Sequence, residues 1–321
     1  IRRFAHRMYN TATIKPKALF LVGKGIREAN EGAGAMIGAR KSTTAYHNSL
    51  VPSFGYPSSD VCITAGLGGT IWNPLIPTGR LAARNSEEVY IYLEKMKEHV
   101  LEQNPFSIYN TPNKDWQKHV LHFGGGSSPS EINTIRNYLT AMSSNIETDE
   151  FGGMVNTYIK ENSDPFNPIL LNDVAERIEE GVSVMTFFAH AAPDGFEINI
   201  DEPQNWNNNK RYPLVIGNAC YTGDIFLPSY SSASERFVIL PDVGAIAFLS
   251  TVKLGFASYL FTYSNEFYRQ FSRTSYGDYV GGQIKNTIEQ VYLSSLSLSS
   301  PQRFLTETTC TQMTLHGDPL V

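Results

Sequence analysis

Two apolar runs in this chain each end in a side chain able to do covalent chemistry. V-S-V-M-T-F-F-A-H closes on His190, and Y-P-L-V-I-G-N-A-C closes on Cys220. Both runs have the length and the Val/Ile/Phe content of buried parallel strands. In a parallel sheet the C-terminal strand ends, with the loops that follow them, form the binding crevice. Neighbouring strands lie about 5 Å apart, so an imidazole and a thiol on two such tips can reach one another. A neighbouring imidazole favours the thiolate, the nucleophilic form of cysteine. The same ring can then hand a proton to a departing amine. A-A-P-D-G follows His190 and Y-T-G-D follows Cys220; these are turn formers, which puts both side chains at loop mouths. A lone cysteine at a strand end is ordinarily a small buried hydrophobe, and a lone histidine a structural polar group. The matched positions of the two are what point to chemistry.

The elements that must position them read as alternating strands and helices. Residues 18–23, A-L-F-L-V-G, form an early strand, followed by a loop-rich Gly/Ala/Ser/Asn stretch to about Asp60. Residues 61–64 read as a short strand. Asn85 and Glu88 have capping-box spacing, and Val89, Leu93, Met96 and Val100 share one helical face. Residues 105–116 look like a linker. A second block opens with H-V-L-H-F and a glycine turn. There Ser128 caps a helix, Pro129 takes its first position, Glu131 completes the box, and Ile132, Ile135 and Leu139 make the buried stripe. Further strands are expected over 153–159 and 244–250, and helices over 169–180, 256–272 and 277–292. This alternation predicts an α/β chain: a mainly parallel sheet covered on both faces, in two tandem subdomains, 1–110 and 111–321.

Two glycine-rich turns offer phosphate-binding readings. V-G-K-G-I-R-E-A-N lacks both the P-loop and the dinucleotide spacing and reads as a tight strand-to-loop turn. G-G-G-S-S-P-S before a helix could hold an anion on free N–H groups, though simple turn geometry explains it as well.

Composition narrows the partners. With 26 Lys plus Arg against 31 Asp plus Glu and no basic block, a nucleic-acid partner is not expected. No run approaches the ~20 apolar residues of a membrane span. The three cysteines, Cys62, Cys220 and Cys310, form neither a metal-type pair nor a disulfide framework. The chain opens at Ile1 without Met, as a mature form or an excised domain would. Low charge with abundant Tyr, Phe, Ser and Asn suits an exported protein.

The chain resembles the gingipain family of cysteine peptidases, within the caspase-like clan. That clan carries a hydrophobic block ending in His and a second ending in Cys, here F-F-A-H-A and I-G-N-A-C-Y-T-G. K-A-L-F-L-V-G, S-D-V-C-I-T-A-G, P-T-G-R-L-A, W-Q-K-H-V-L-H-F, Ser234 with Glu235, G-A-I-A-F-L-S and L-H-G-D-P-L resemble further family segments, in family order across nearly the whole chain. The opening I-R-R-F-A-H-R-M-Y is similar to the peptidase domain of type IX secretion sortases.

The resemblance implies a caspase-like three-layer α/β/α fold and a cysteine-type endopeptidase acting on polypeptides. It implies Cys220 as nucleophile, His190 as general base and acid, and backbone N–H groups of Ala191 and Cys220 as the oxyanion site. It also implies an extracellular or bacterial cell-surface location, possible processing of secreted proteins and a place in a larger secreted chain. No cofactor is required, and no metal ligands are named; structural calcium accompanies many extracellular relatives. Two departures stand out: Ala191 replaces the glycine after the histidine, and Ile63 replaces the tyrosine of the Ser-Asp-x-x-Tyr segment. The family's carboxylate behind the histidine has no clear counterpart in residues 41–59, which contain no Asp or Glu. Asp60, Asp194 and Asp224 are the candidates for an orienting or specificity carboxylate. The departures keep open a second function: a catalytically impaired scaffold or partner-binding module of a secretion or surface complex.

Overall fold

The computed structural model describes residues 1–27, 42–55, 57–69, 73–103, 114–161, 168–198, 200, 202–228 and 231–321. Ten strands are present among them: β1 (Leu19–Val22), β2 (Thr78–Leu81), β3 (His119–Gly124), β4 (Met154–Ile159), β5 (Val184–Phe188), β6 (Ala191–Ala192), β7 (Gly195–Phe196), β8 (Leu214–Asn218), β9 (Ala247–Thr251) and β10 (Met313–His316). The α-helices are α1 (Arg2–Thr11), α2 (Thr43–Asn48), α3 (Val61–Thr64), α4 (Ser86–Gln103), α5 (Pro129–Ile146), α6 (Pro168–Glu180), α7 (Ala233–Val238), α8 (Ala257–Arg269), α9 (Val280–Ser295) and α10 (Ser300–Gln312).

Eight strands build one sheet in the order β1-β2-β10-β9-β8-β5-β3-β4. Every neighbouring pair is parallel except β10 with β9. β1 and β2 come from residues 1–110 and the others from 111–321, and β10 pairs with β2 through His316 and Arg80. Strands β5, β8 and β9 are buried at every position, as strands covered on both faces must be. Successive side chains alternate between those faces. Val184, Phe188, Leu214, Ile216 and Leu249 pack with residues of α5, α8, α9 and α10. Met185, Phe187, Val215 and Phe248 pack on the other side with residues of α4, α6 and α7. The result is a three-layer α/β/α sandwich, as the alternation predicted.

Two local expectations fail for physical reasons. Residues 61–64 form a helical turn, not a strand; four apolar residues carry no period long enough to separate the two. The described part of 24–60 is mostly loop, as expected, with α2 inside it; 28–41 lie outside the described residues, as does most of the expected linker at 105–116. Helix α4 forms as predicted, with Glu88 N–H donating to Asn85 Oδ1 at 3.0 Å. Its buried face, however, is Tyr92, Lys95 and His99, while Leu93 and Val100 are exposed. The Lys95 ammonium donates to the carbonyls of Val238, Val243 and Ala245 at 3.1, 2.8 and 2.9 Å. Three acceptors match its three N–H donors, so a charge that reads as solvent-facing becomes the peg joining α4 to the approach of β9. Burial lowers its pKa to about 7, while the three carbonyls favour the three-donor ammonium.

Candidate active site

The register of the two central strands sets the site. Val184 to Phe188 pair in parallel with Leu214 to Asn218, residue for residue, and Ala189 N–H still donates to the Asn218 carbonyl at 3.4 Å. His190 and Cys220 each lie two residues past the last pair, Phe188 and Asn218. They therefore occupy matching positions at the C-terminal ends of adjacent strands, as the sequence required.

The chain turns sharply after the cysteine. Tyr221 has φ +62°, a left-handed conformation that is costly for a bulky residue and is held only by its surroundings. Tyr221 N–H donates to Lys253 O, Gly223 N–H to Thr251 O and Ser234 N–H to Thr222 O, at 2.9, 2.9 and 3.1 Å. A Cβ on Gly223 would meet the Ser250 carbonyl at 2.6 Å, so only glycine lets this turn lie so close to β9. The thiol is half-buried, with the Gly255 N–H 3.4 Å from Cys220 Sγ. The same sulfur lies 3.8 Å from the Gly255 carbonyl oxygen.

His190 is exposed and opens the β6–β7 hairpin. Its Nε2 lies 3.0 Å from Glu131 Oε1. The second Glu131 oxygen accepts the Ser127 N–H at 2.7 Å; this bond first, and His190 second, hold the Glu131 carboxyl below its ordinary pKa. Sequence reasoning assigned Glu131 to a capping box and missed it as a partner of the histidine. Ser128 does cap α5 through the Glu131 N–H, while the Ser127 N–H one residue earlier holds the carboxylate beside the His190 loop. With Nε2–H donating to Glu131, Nδ1 is the ring nitrogen left to take a thiol proton.

The glycine turn before α5 does hold an anion, and that anion is the chain's own. Glu197 Oε1 accepts N–H bonds from Gly126 at 2.8 Å and from His190 at 3.1 Å. A side chain on Gly125 would collide with this carboxylate. Glu197 N–H in turn donates to the His190 carbonyl at 3.0 Å. Bonded and non-bonded pairs alternate in an antiparallel ladder. The next pair, Ala191 with Phe196, is therefore non-bonded, and the Ala191 N–H turns away from its partner strand. The other turn, after β1, is also spent on structure: buried Lys24 meets buried Glu235 at 2.6 Å.

The three aspartates named from sequence separate. Asp194 is exposed on the hairpin turn and lines an open cleft of about 510 Å³ with His190, Glu197, Glu202 and Arg236. Asp224 is buried; its Oδ2 meets Arg27 at 3.0 Å, and its Oδ1 caps the Phe226 N–H. Burial pushes Asp224 up to about 6, against the pull of Arg27. Asp60 is also buried, and both its oxygens are held by Arg80, at 2.7 and 2.8 Å. Arg80 spends its remaining donors on the carbonyls of Gly23, Val51 and Pro52. Asp60 thus ties the 50–60 segment to β2, and neither it nor Asp224 is among the described residues lining the cleft. Asp60→Asn should lower stability by about 3 kcal/mol, since it leaves a buried guanidinium under-compensated. It should leave cleavage preference unchanged; chemical denaturation beside a peptide-library profile checks both halves.

Among solved structures the chain is similar to the Arg-specific cysteine proteinase gingipain R, with TM-score 0.74 and 12% identity over 99% of this chain and 67% of that one. A complex of the Porphyromonas gingivalis RgpB pro- and mature domains matches with TM-score 0.71 and 14% identity, over 100% and 69%. A third structure, of a protease, matches with TM-score 0.69 and 15% identity, over 100% and 68%. At such identities the likeness establishes a shared fold. No curated protein matches the chain. The family model for peptidase family C25 matches residues 1–321. With that match over its whole length, this α/β chain belongs to peptidase family C25.

Proposed function

We propose that the chain is a cysteine-type endopeptidase that cuts polypeptides through a Cys220 acyl-enzyme. The observation that carries this reading is the matched placement of His190 and Cys220 past one registered strand pair, with Glu131 bonded to the far nitrogen of the ring. His190 Nδ1 takes the thiol proton, and Sγ adds to the scissile carbonyl carbon. The Cys220 and Ala191 N–H groups receive the oxyanion. The tetrahedral centre collapses as His190 protonates the departing amine, leaving a thioester. Water, deprotonated by the same ring, releases the acid; an amine in place of water would give transpeptidation.

We further assign a preference for a basic residue before the cleaved bond. Asp194, Glu197 and Glu202 outnumber Arg236 around the cleft beside His190, and gingipain R is Arg-specific. Action outside the cell or on its surface, on secreted polypeptides, is part of the proposal and is supported by the sequence resemblance. Among the described residues no group of three or more His, Cys, Asp or Glu could hold a metal, and no helix is long and apolar enough to cross a membrane.

The scaffold reading is still favoured by Ala191 and Ile63, but Glu131 supplies the carboxylate whose absence had motivated it. A mixed peptide library with wild type and Cys220→Ala separates the two. Thiol-dependent cleavage after Arg or Lys, lost in the variant, is the expected result. An alkylatable Cys220 in a wild type that cuts nothing would favour the scaffold. Glu131→Gln should lower kcat about 10- to 100-fold with little change in KM, because the imidazolium loses its counter-charge while the cleft is untouched. An equal loss carried wholly in KM would move Glu131 into substrate binding.

A further inference from the structure

A second cavity, of about 400 Å³, lies at the other end of the sheet. Ser183, just before β5, Leu214, the first residue of β8, and Ile246, just before β9, line it. It therefore sits at the N-terminal ends of the strands whose opposite tips lead to His190 and Cys220. Its volume falls in the range of small-molecule sites, and Phe151, Phe271 and Tyr276 give it aromatic walls.

Two lining residues carry polar atoms with nothing to bond. Trp116 is 3% exposed and His99 5% exposed, and among the described residues both Trp116 Nε1 and His99 Nδ1 are buried without a hydrogen-bond partner. The Gln103 amide Nε2 lies 2.8 Å from His99 Nε2. An amide nitrogen only donates, so the ring accepts there and carries its proton on Nδ1. Burial keeps that ring neutral by lowering its pKa to about 4. Both orphan groups are thus N–H donors. Buried donors are nearly always satisfied in native proteins, and an exception calls for an explanation. A third donor, and the one that carries a charge, lines the same cavity: Lys118 Nζ lies 3.7 Å from the Phe151 ring centroid and 4.7 Å from that of Tyr276, and 3.2 Å from Tyr276 Oη.

We propose that this cavity is a binding site for a small apolar carboxylic acid. The carboxylate takes the Trp116 and His99 N–H groups and neutralises Lys118, and an aromatic or branched hydrocarbon body lies among Phe151, Phe271 and Tyr276. A neutral hydrocarbon would leave both donors unpaired, and a dianion would bring more charge than one lysine offsets. The acid is either a free metabolite or the C-terminal carboxylate of a peptide ending in an apolar residue.

The test is a ligand-observed NMR titration of the full chain with 3-phenylpropionate, beside 3-phenylpropanol as its uncharged counterpart. N-acetyl-Gly-Phe, with a free carboxylate, represents the peptide source. Saturable binding of at least one acid, much weaker for the alcohol, is expected, and the tighter acid identifies the source. Trp116→Phe keeps the aromatic bulk and loses the N–H; Lys118→Met keeps the stem and loses the charge. Each should weaken binding at least about tenfold, with thermal unfolding used to confirm that the variants fold. Wild type alkylated at Cys220 should bind unchanged. The proposal fails if neither acid saturates below about 10 mM. It also fails if both folded variants bind as wild type does, or if alkylation of Cys220 abolishes binding.

Discussion

Cys220→Ala should lower peptide cleavage by about 10⁴-fold or more, to background, while leaving the unfolding curve close to that of wild type. The nucleophile acts as a unit with its base, so little remains once the sulfur is gone, and a half-buried side chain at a loop mouth contributes little to packing. The same position predicts the order of alkylation. Brief iodoacetamide treatment of native protein should label Cys220 first. Cys310 lies inside the core with its thiol pushed far up by burial, and burial raises Cys62 as well; neither presents much thiolate. Peptide mapping gives the order directly. Native protein labelled at Cys62 or Cys310 with Cys220 untouched would remove the nucleophile from the mechanism, whatever the fold. A Cys220→Ala variant that still cuts would do the same.

Stability should fall steeply as the pH drops from about 6.5 to 4. His99, His122 and His316 are buried and neutral, with burial lowering them to about 4, 3 and 4. Each keeps its proton off in the folded chain and takes it up on unfolding. A depressed folded-state pKa means that the stability is present above the unfolded value, about 6.5, and is lost as the pH falls toward the folded one. Asp224 works the other way. Raised to about 6, it binds its proton in the folded state first and favours folding between about pH 6 and 4. Three histidines against one aspartate leave about two protons taken up on unfolding near pH 5. That corresponds to a slope of about 2.5 kcal/mol per pH unit. Urea denaturation at half-unit steps measures this slope. A flat profile from pH 6.5 to 5 would mean that at least two of the histidines are charged or solvated in the native state. His122→Gln, which keeps a polar group near the Tyr268 hydroxyl, should flatten the slope by about one half, since about one proton in place of two is then taken up on unfolding.

The sandwich and its two reactive tips were legible in the sequence because they depend on local pattern. Continuous apolar runs give strands buried on both faces, and their ends fall where turn residues begin. That logic located β1, β3, β4, β5, β8 and β9, and it found α5 with its Ser128 cap and its buried Ile132, Ile135 and Leu139. It also placed His190 and Cys220 at equivalent tips, since two parallel strands that begin in register end in register. What only the tertiary structure decided is which charges are spent on one another. Asp60 read as a site carboxylate because its segment resembles a functional one; nothing local shows that Arg80, twenty residues on, takes both its oxygens. Glu131 read as a helix cap because that role is local, whereas its contact with His190 spans fifty-nine positions and depends on α5 and β5 meeting at one end of the sheet. Lys95 turns inward only because three carbonyls from residues 238–245 converge on it. Apolar burial follows composition and period, which a single chain displays. The pairing of buried charge depends on which distant donor and acceptor the packed layers bring within three ångströms, and only the folded chain sets that distance.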